Sequence, residues 1–170
     1  KPVLIRLTRA LPTTPDYVSW KFNRQVPANK SISMISHVSV ATDEELRKSE
    51  DVYPGYIKDH YLGYPESLPE RVHSLGHFLT YQETNTFDKA VKIEKYLRSD
   101  EFTYSQSIKA PPVDADGVDF FLFDSKSGYS DYFASAMAVM LRTQGVPTRL
   151  MAGYSSGQYN SLTQSSTIRD

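Results

Sequence analysis

The chain has 170 residues, 39% of them hydrophobic and 23% charged, enough for one ordinary domain with its own core and against whole-chain disorder. Lys and Arg total 19 and Asp and Glu total 20, so a net charge of −1 gives no electrostatic basis for bulk nucleic-acid or membrane-surface binding. The absence of cysteine excludes disulfides, thiolate metal sites and a cysteine nucleophile in this sequence.

Pro2 to Leu7 is β-rich, Tyr17 to Val26 alternates through Trp20 and Phe22, and Ser31 to Val40 alternates with Ile32, Met34, Val38 and Val40 on one face. Pro12, Pro15 and Pro27-Ala28-Asn29-Lys30 supply the turns between them. A β-rich N-terminal segment is therefore expected over residues 1–52, ending in a charged helix or connector from Asp43 to Asp51. Tyr53, Tyr56, Tyr61 and Tyr64, with Pro54 and Pro65, read as a linker packed onto its neighbour, opening a second unit over 53–170.

A helix is predicted from Ser67 as N-cap, with Pro69 in its first turn and Val72, Leu75 and Leu79 on its buried face. A second starts near Thr86 and buries Phe87, Ala90, Ile93 and Leu97. Phe102 to Ile108 reads as an extended piece broken by Pro111 and Pro112, and Phe120 to Phe123 as a strand. The clearest periodicity follows Ser130: Phe133, Ala136, Met137, Met140 and Leu141 form one apolar stripe. This helix should be the most buried element, with Phe133, Met137 and Met140 nearly inaccessible. Gly145 and Pro147 stop it. Thr148 to Tyr154 reads as a strand, and the polar stretch Ser155 to Thr167 as a loop.

The longest apolar run, Phe120 to Phe123, is too short to span a bilayer. A start at Lys1-Pro2 without Met, and a stop just past the polar stretch, read as excision from a longer protein.

Gly128-Tyr129-Ser130 leads into the third helix, where free backbone N–H groups and the helix dipole meet. A thiol there would be a reactive thiolate, and the same N–H groups could hold an oxyanion. A hydroxyl needs a separate base. Ser130 therefore reads either as a plain N-cap or as the position of a nucleophile. His73 and His77 are spaced i, i+4, but Ser74 stands where a zinc helix would carry Glu, so they read as a surface pair. Asp114, Asp116 and Asp119 around Gly117 read as a polar turn rather than a calcium loop. No metal or cofactor is expected.

The stretch Phe121-Leu122-Phe123-Asp124 to Gly128-Tyr129-Ser130-Asp131-Tyr132-Phe133-Ala134-Ser135-Ala136, followed by Leu141-Arg142-Thr143-Gln144-Gly145-Val146-Pro147-Thr148-Arg149 and Gly153-Tyr154, closely resembles the bacterial transglutaminase-like family. There the motif reads Gly-Tyr-Cys-Glu-x-Phe-Ala-x-Ala, then Leu-Arg-x-x-Gly-Ile-Pro-Ala-Arg, then Gly-Tyr. Upstream, Tyr64-Pro65, Phe87-Asp88-Lys89-Ala90, Tyr96-Leu97 and Phe102-Thr103-Tyr104 resemble its membrane-anchored branch. The resemblance spans about residues 53–154. It implies an α+β, papain-like transglutaminase core with a Cys-His-Asp triad, here incomplete at the C-terminus and preceded by the β-rich segment.

Two departures follow from the resemblance. Ser130 stands at the position of the family's Cys, and Asp131 where Glu is common. The family's His and Asp follow the Gly-Tyr, whereas His37, His60, His73 and His77 all precede Ser130. The resemblance thus implies a thiol acyl-transfer domain, cross-linking or proteolytic, inactive as written. The alternatives are a natural pseudoenzyme that binds a peptide or cell-envelope partner through the former substrate groove, and a live serine nucleophile. It further implies a protein or peptide substrate, an extracytoplasmic location, and membrane anchoring through segments outside this chain. The strand edge left open beside Thr148–Tyr154 invites dimerisation.

Overall fold

In the computed structural model, residues 40–151 are described throughout, together with four short strands outside that range. The outer strands are β1 (Val3–Ile5), which pairs in parallel with β2 (Ile32–Met34), and β5 (Gln158–Asn160), which pairs antiparallel with β6 (Ser165–Thr167). Between them lie helices α1 (Asp43–Arg47), α2 (Gly55–Tyr61), α3 (Glu70–Thr80), α4 (Thr86–Leu97) and the short α5 (Gly117–Asp119), then the long α6 (Ser130–Thr143). Strands β3 (Thr103–Tyr104) and β4 (Ser127–Gly128) pair in parallel just before α6.

The described architecture is thus mostly helical, with small sheets. Of the β-rich segment expected over 1–52, it shows the β1–β2 pair and the exposed helix α1; Tyr17 to Val26 lies outside the described residues. The stretch 155–167, expected as a loop, contains the β5–β6 pair. Thr148 to Met151 is not in a strand, and 152–154 lie outside the described residues.

The core is where α3, α4 and α6 meet. Val72, Ile93, Phe121, Leu122, Ala136 and Met140 have no solvent exposure. The stripe on α6 is real, but Phe133 and Met137 are half-buried rather than inaccessible, because they line the edge of the seam. Helices α3 and α6 approach closely at Gly76, where a Cβ would sit 3.0 Å from Gln144 Nε2 and 3.1 Å from Thr143 Oγ1.

Helix α3 begins two residues later than Ser67 as N-cap suggested. Leu68 N–H donates to Pro65 O, closing a separate turn, and Pro69, at ψ 138°, is the N-cap. A residue preceding proline is biased away from the α region, so Leu68 breaks the run between turn and helix. Phe120 to Phe123 also departs from expectation: Phe120–Ser125 is a π-helical turn continuing α5, not a strand. Asp116 caps the start, its Oδ1 accepting from the N–H groups of Val118 and Asp119. The widened turn buries the consecutive Phe121 and Leu122 completely.

Helix α4 has a side-chain cap: Asn85 Oδ1 accepts from Asp88 N–H at 2.8 Å, and Asn85 Nδ2 donates to Asp88 Oδ2. The Asn85 bond and the ion pair with Arg47 hold the Asp88 carboxyl below its ordinary range, partly opposed by desolvation. Asn85→Ala should cost about 0.5–2 kcal/mol of stability in urea unfolding and raise the Asp88 pKa. Asp88 titration followed by NMR, unchanged by the substitution, would show that the cap is not formed in solution.

Candidate active site

The site is built where the π-turn hands the chain to α6. Lys126 ends the turn in the left-handed region, φ 47°, with its N–H donating to Phe121 O. Its carbonyl accepts from Thr103 N–H, and Gly128 O accepts from Ser105 N–H, which clamps β4 beside β3. Arg71 of α3 fixes the turn from outside. Its guanidinium bonds Asp119 and Asp124 and lies 4.5 Å from the centre of the Phe123 ring. The Asp119 bond, foremost among these contacts, raises the Arg71 pKa above its ordinary value.

Gly128 lies against the first turn of α6. A Cβ there would meet Tyr132 Cβ at 2.6 Å and Phe121 Cε2 at 3.2 Å. Tyr129 follows as the N-cap of α6 in extended conformation, with no side-chain capping bond. Ser130, which the sequence allowed as an N-cap, is therefore the first residue of a 14-residue helix. It is exposed, and its hydroxyl donates to Asp131 Oδ1 at 3.3 Å. Tyr132 N–H is taken by Tyr129 O, while the N–H groups of Ser130 and Asp131 have no partner among the described residues. Aromatic packing holds this corner: the Phe121 ring lies 4.9 Å from that of Phe133 and 5.8 Å from that of Tyr132, and Tyr129 meets Tyr132 edge-on at 5.1 Å.

Beside Ser130 runs an open groove of about 300 Å³, lined by Pro111, Asp116, Val118, Asp131, Tyr132 and Ser135. Sequence reasoning missed this groove, and the Arg71 clamp, because their parts are far apart along the chain; the Asx cap at Asp116 was the one local signal. The Asp116 region is indeed a polar turn, with Asp116 spent on backbone N–H groups and Asp119 on Arg71. The described histidines face elsewhere. His60 Nδ1 is hydrogen-bonded with Tyr56 O, while the rings of His73 and His77 contact Tyr64 and Tyr81. Of the tyrosine-rich linker, Tyr61 O accepts from Thr148 N–H, and Arg142 of α6 ties Gly63 O to Thr148 O.

This corner supplies a helix N-terminus with free N–H donors, an exposed side chain at its first residue and an adjoining groove. That arrangement suits a nucleophile and the oxyanion it generates. The Ser130 hydroxyl has no imidazole among its described contacts; its one acceptor there is the exposed Asp131 carboxylate, at 3.3 Å.

Comparison with known proteins identifies the family. The chain is 46% identical over 116 residues to protein YebA of Bacillus subtilis, covering 68% of this chain and 16% of YebA. It is 47% identical over 57 residues to a protein-glutamine gamma-glutamyltransferase of Pseudomonas aeruginosa, covering 34% of this chain and 8% of that protein. The chain thus spans a small part of either relative. Among solved structures, the periplasmic domain of TgpA from Pseudomonas aeruginosa superimposes with a TM-score of 0.57 at 28% identity, covering 66% of this chain and 38% of that one. A second structure of that domain, bound to ethylmercury, gives 0.56 at 29% identity, covering 65% of this chain and 39% of that one. The sequence profile of the transglutaminase-like superfamily matches residues 74–168, more than half of the chain, and so takes in the π-turn, Ser130 and α6. The chain belongs to the transglutaminase-like superfamily.

Proposed function

We propose that this domain is the acyl-transfer core of a transglutaminase-like protein, papain-like in its arrangement, with residue 130 at the place of the nucleophile. We further infer that, with Ser130 there, it does not turn over glutamine or peptide substrates. The carrying observation is the placement of Ser130: exposed, first in α6, beside a groove and N–H groups that have no partner among the described residues.

The inactivity follows from chemistry. A helix N-terminus can bring a thiol into the range of a thiolate, but a hydroxyl ionises far too high for that field alone and needs a general base. All four histidines precede Ser130 in sequence, and the contacts of the three described ones lie with tyrosines. Transfer of an acyl group to an amine is supported by the similarity to the glutamyltransferase, and an extracytoplasmic setting by the similarity to a periplasmic domain. No helix among the described residues is long and apolar enough to cross a membrane.

The intact groove favours a second reading, a pseudoenzyme that binds a peptide without reacting with it. The two are separated by assaying release of ammonia from a glutamine peptide in the presence of a primary amine. The unmodified chain should show none. Ser130→Cys should show slow release that free imidazole accelerates, because the added base replaces the missing proton shuttle. Comparable turnover by the unmodified chain would overturn the inactive-nucleophile reading. A Ser130→Cys variant inert under every condition would favour the pseudoenzyme.

A further inference from the structure

We propose that Arg71 is a positioning residue for the start of α6: by bridging Asp119 and Asp124 it holds the Phe120–Ser125 turn in its π register and thereby sets where residue 130 stands. This deepens the reading above and rests on it only for the role of residue 130.

Asp119 immediately precedes the turn and Asp124 lies near its end, at i and i+5. In an α-helix those positions point about 140° apart, so one guanidinium could not grip both. A turn closed by an i→i+5 bond brings them to one side. The closing bond here is of that kind, Lys126 N–H donating to Phe121 O at 3.0 Å. Arg71 donates from Nε and Nη2 to the two oxygens of Asp119, and from Nη2 to Asp124 Oδ2 at 2.9 Å. Between them its guanidinium carbon lies 4.5 Å from the centre of the Phe123 ring. A planar fork can make all three contacts, whereas an ammonium is a single point charge. The helix that carries Arg71 is itself packed against α6 at Gly76, so α3 relates the turn to the body of α6.

The two grips differ in burial. The Asp119 side chain is 11% exposed and needs a cation for stability, while that of Asp124 is 52% exposed, where an ion pair contributes little. The consequence of the Asp124 grip is therefore register. Beyond the turn, Lys126 O and Gly128 O must meet the N–H groups of Thr103 and Ser105 before Tyr129 leads into Ser130. Relaxation of the turn toward an α register would rotate both carbonyls away from β3 and displace the start of α6.

The test uses iodoacetamide on Ser130→Cys, alone and combined with Arg71→Lys, Asp124→Ala or Asp124→Asn. Arg71→Lys and Asp124→Ala should each remove most of the thiol's about tenfold rate advantage over an exposed cysteine near neutral pH, with its pKa moving toward ~8.5. The sign separates positioning from direct charge. Asp124→Ala removes a negative charge, which by its field alone would lower the thiol pKa, and Arg71→Lys leaves the charge unchanged. Asp124→Asn keeps an acceptor oxygen and should restore most of the rate. None of these variants takes the cation from Asp119, and circular-dichroism melting verifies that each is folded. A second readout needs no thiol. In the Ser130 chain, amide hydrogen exchange at Lys126 and Ser105 should quicken about tenfold in Arg71→Lys and Asp124→Ala, while the amides of α4 keep their rates. A thiol made faster by Asp124→Ala, no rescue by Asp124→Asn, or unchanged exchange at Lys126 and Ser105 would overturn the proposal. An ordinary thiol in Ser130→Cys alone would instead overturn the reading of residue 130, and exchange then decides whether Arg71 holds the turn.

Discussion

Ser130→Cys should yield a thiol that iodoacetamide alkylates about tenfold faster near neutral pH than an ordinary exposed cysteine. Two opposing effects decide the magnitude. The N–H groups of Ser130 and Asp131 have no partner among the described residues, and they sit at the positive end of a 14-residue helix. Against them stands the neighbouring Asp131 carboxylate, which disfavours a thiolate. Asp131 is exposed, so its charge acts through water and amounts to only about 1 kcal/mol at ~4 Å. The donors should prevail, and the thiol pKa should fall below the free value of ~8.5. Asp131→Asn in the same background should lower it further. The sign can be checked through stability. A thiol whose pKa is depressed by folding stabilises the variant above the unfolded value, and that gain is lost as pH falls through the folded value. Relative to the parent chain, Ser130→Cys should therefore gain stability between about pH 6 and pH 9. A pH–alkylation profile with its midpoint at the free-cysteine value would show that the helix start does not act on residue 130.

The parts of this site that the sequence revealed are those with a local code. Helix α4 announces itself through the Phe87, Ala90, Ile93, Leu97 period, and α6 through its stripe and the Gly145 stop, which adopts φ 77°. The fold around residue 130 was legible because a long motif, not periodicity, carried it. Phe120 to Phe123 misled because four consecutive apolar residues have no period, and a π-turn buries neighbours that an α-helix would separate. The start of α3 misled because Ser67 looks like a cap, while the restriction imposed by Pro69 on Leu68 is stronger. The groove and its clamp were invisible for a different reason. Arg71 meets Asp119 across 48 positions, and Asp116 and Asp131 come to line one groove only after α5 and the π-turn have folded. Non-local pairings of that kind leave no short-range signature.

Gly128→Ala should be the most damaging small substitution at the site. The conformation of Gly128 does not demand glycine; the space does. The added methyl would lie 2.6 Å from Tyr132 Cβ and 2.8 Å from Tyr132 Cγ. A rotamer change cannot relieve the first contact, because a Cβ moves only with its backbone. The first turn of α6 must therefore shift away from β4, or β4 must leave β3 and give up the bond from Ser105 N–H to Gly128 O. Overpacking of this kind costs about 1–3 kcal/mol, and the rigid neighbour places the expected loss in urea unfolding at the upper end. The same shift would loosen the Phe121–Tyr132 and Tyr129–Tyr132 packing that fixes the helix start. In the Ser130→Cys background, Gly128→Ala should therefore also return the thiol pKa toward ~8.5, because the nucleophile no longer sits squarely on its N–H donors. Gly145→Ala serves as the control: it introduces strain at φ 77° of about 1 kcal/mol, meets no atom within 4 Å, and lies at the far end of α6. It should lower stability while leaving the thiol profile unchanged. If both substitutions moved the profile equally, the effect would be general loosening of the helix, and the role of Gly128 in placing residue 130 would be refuted.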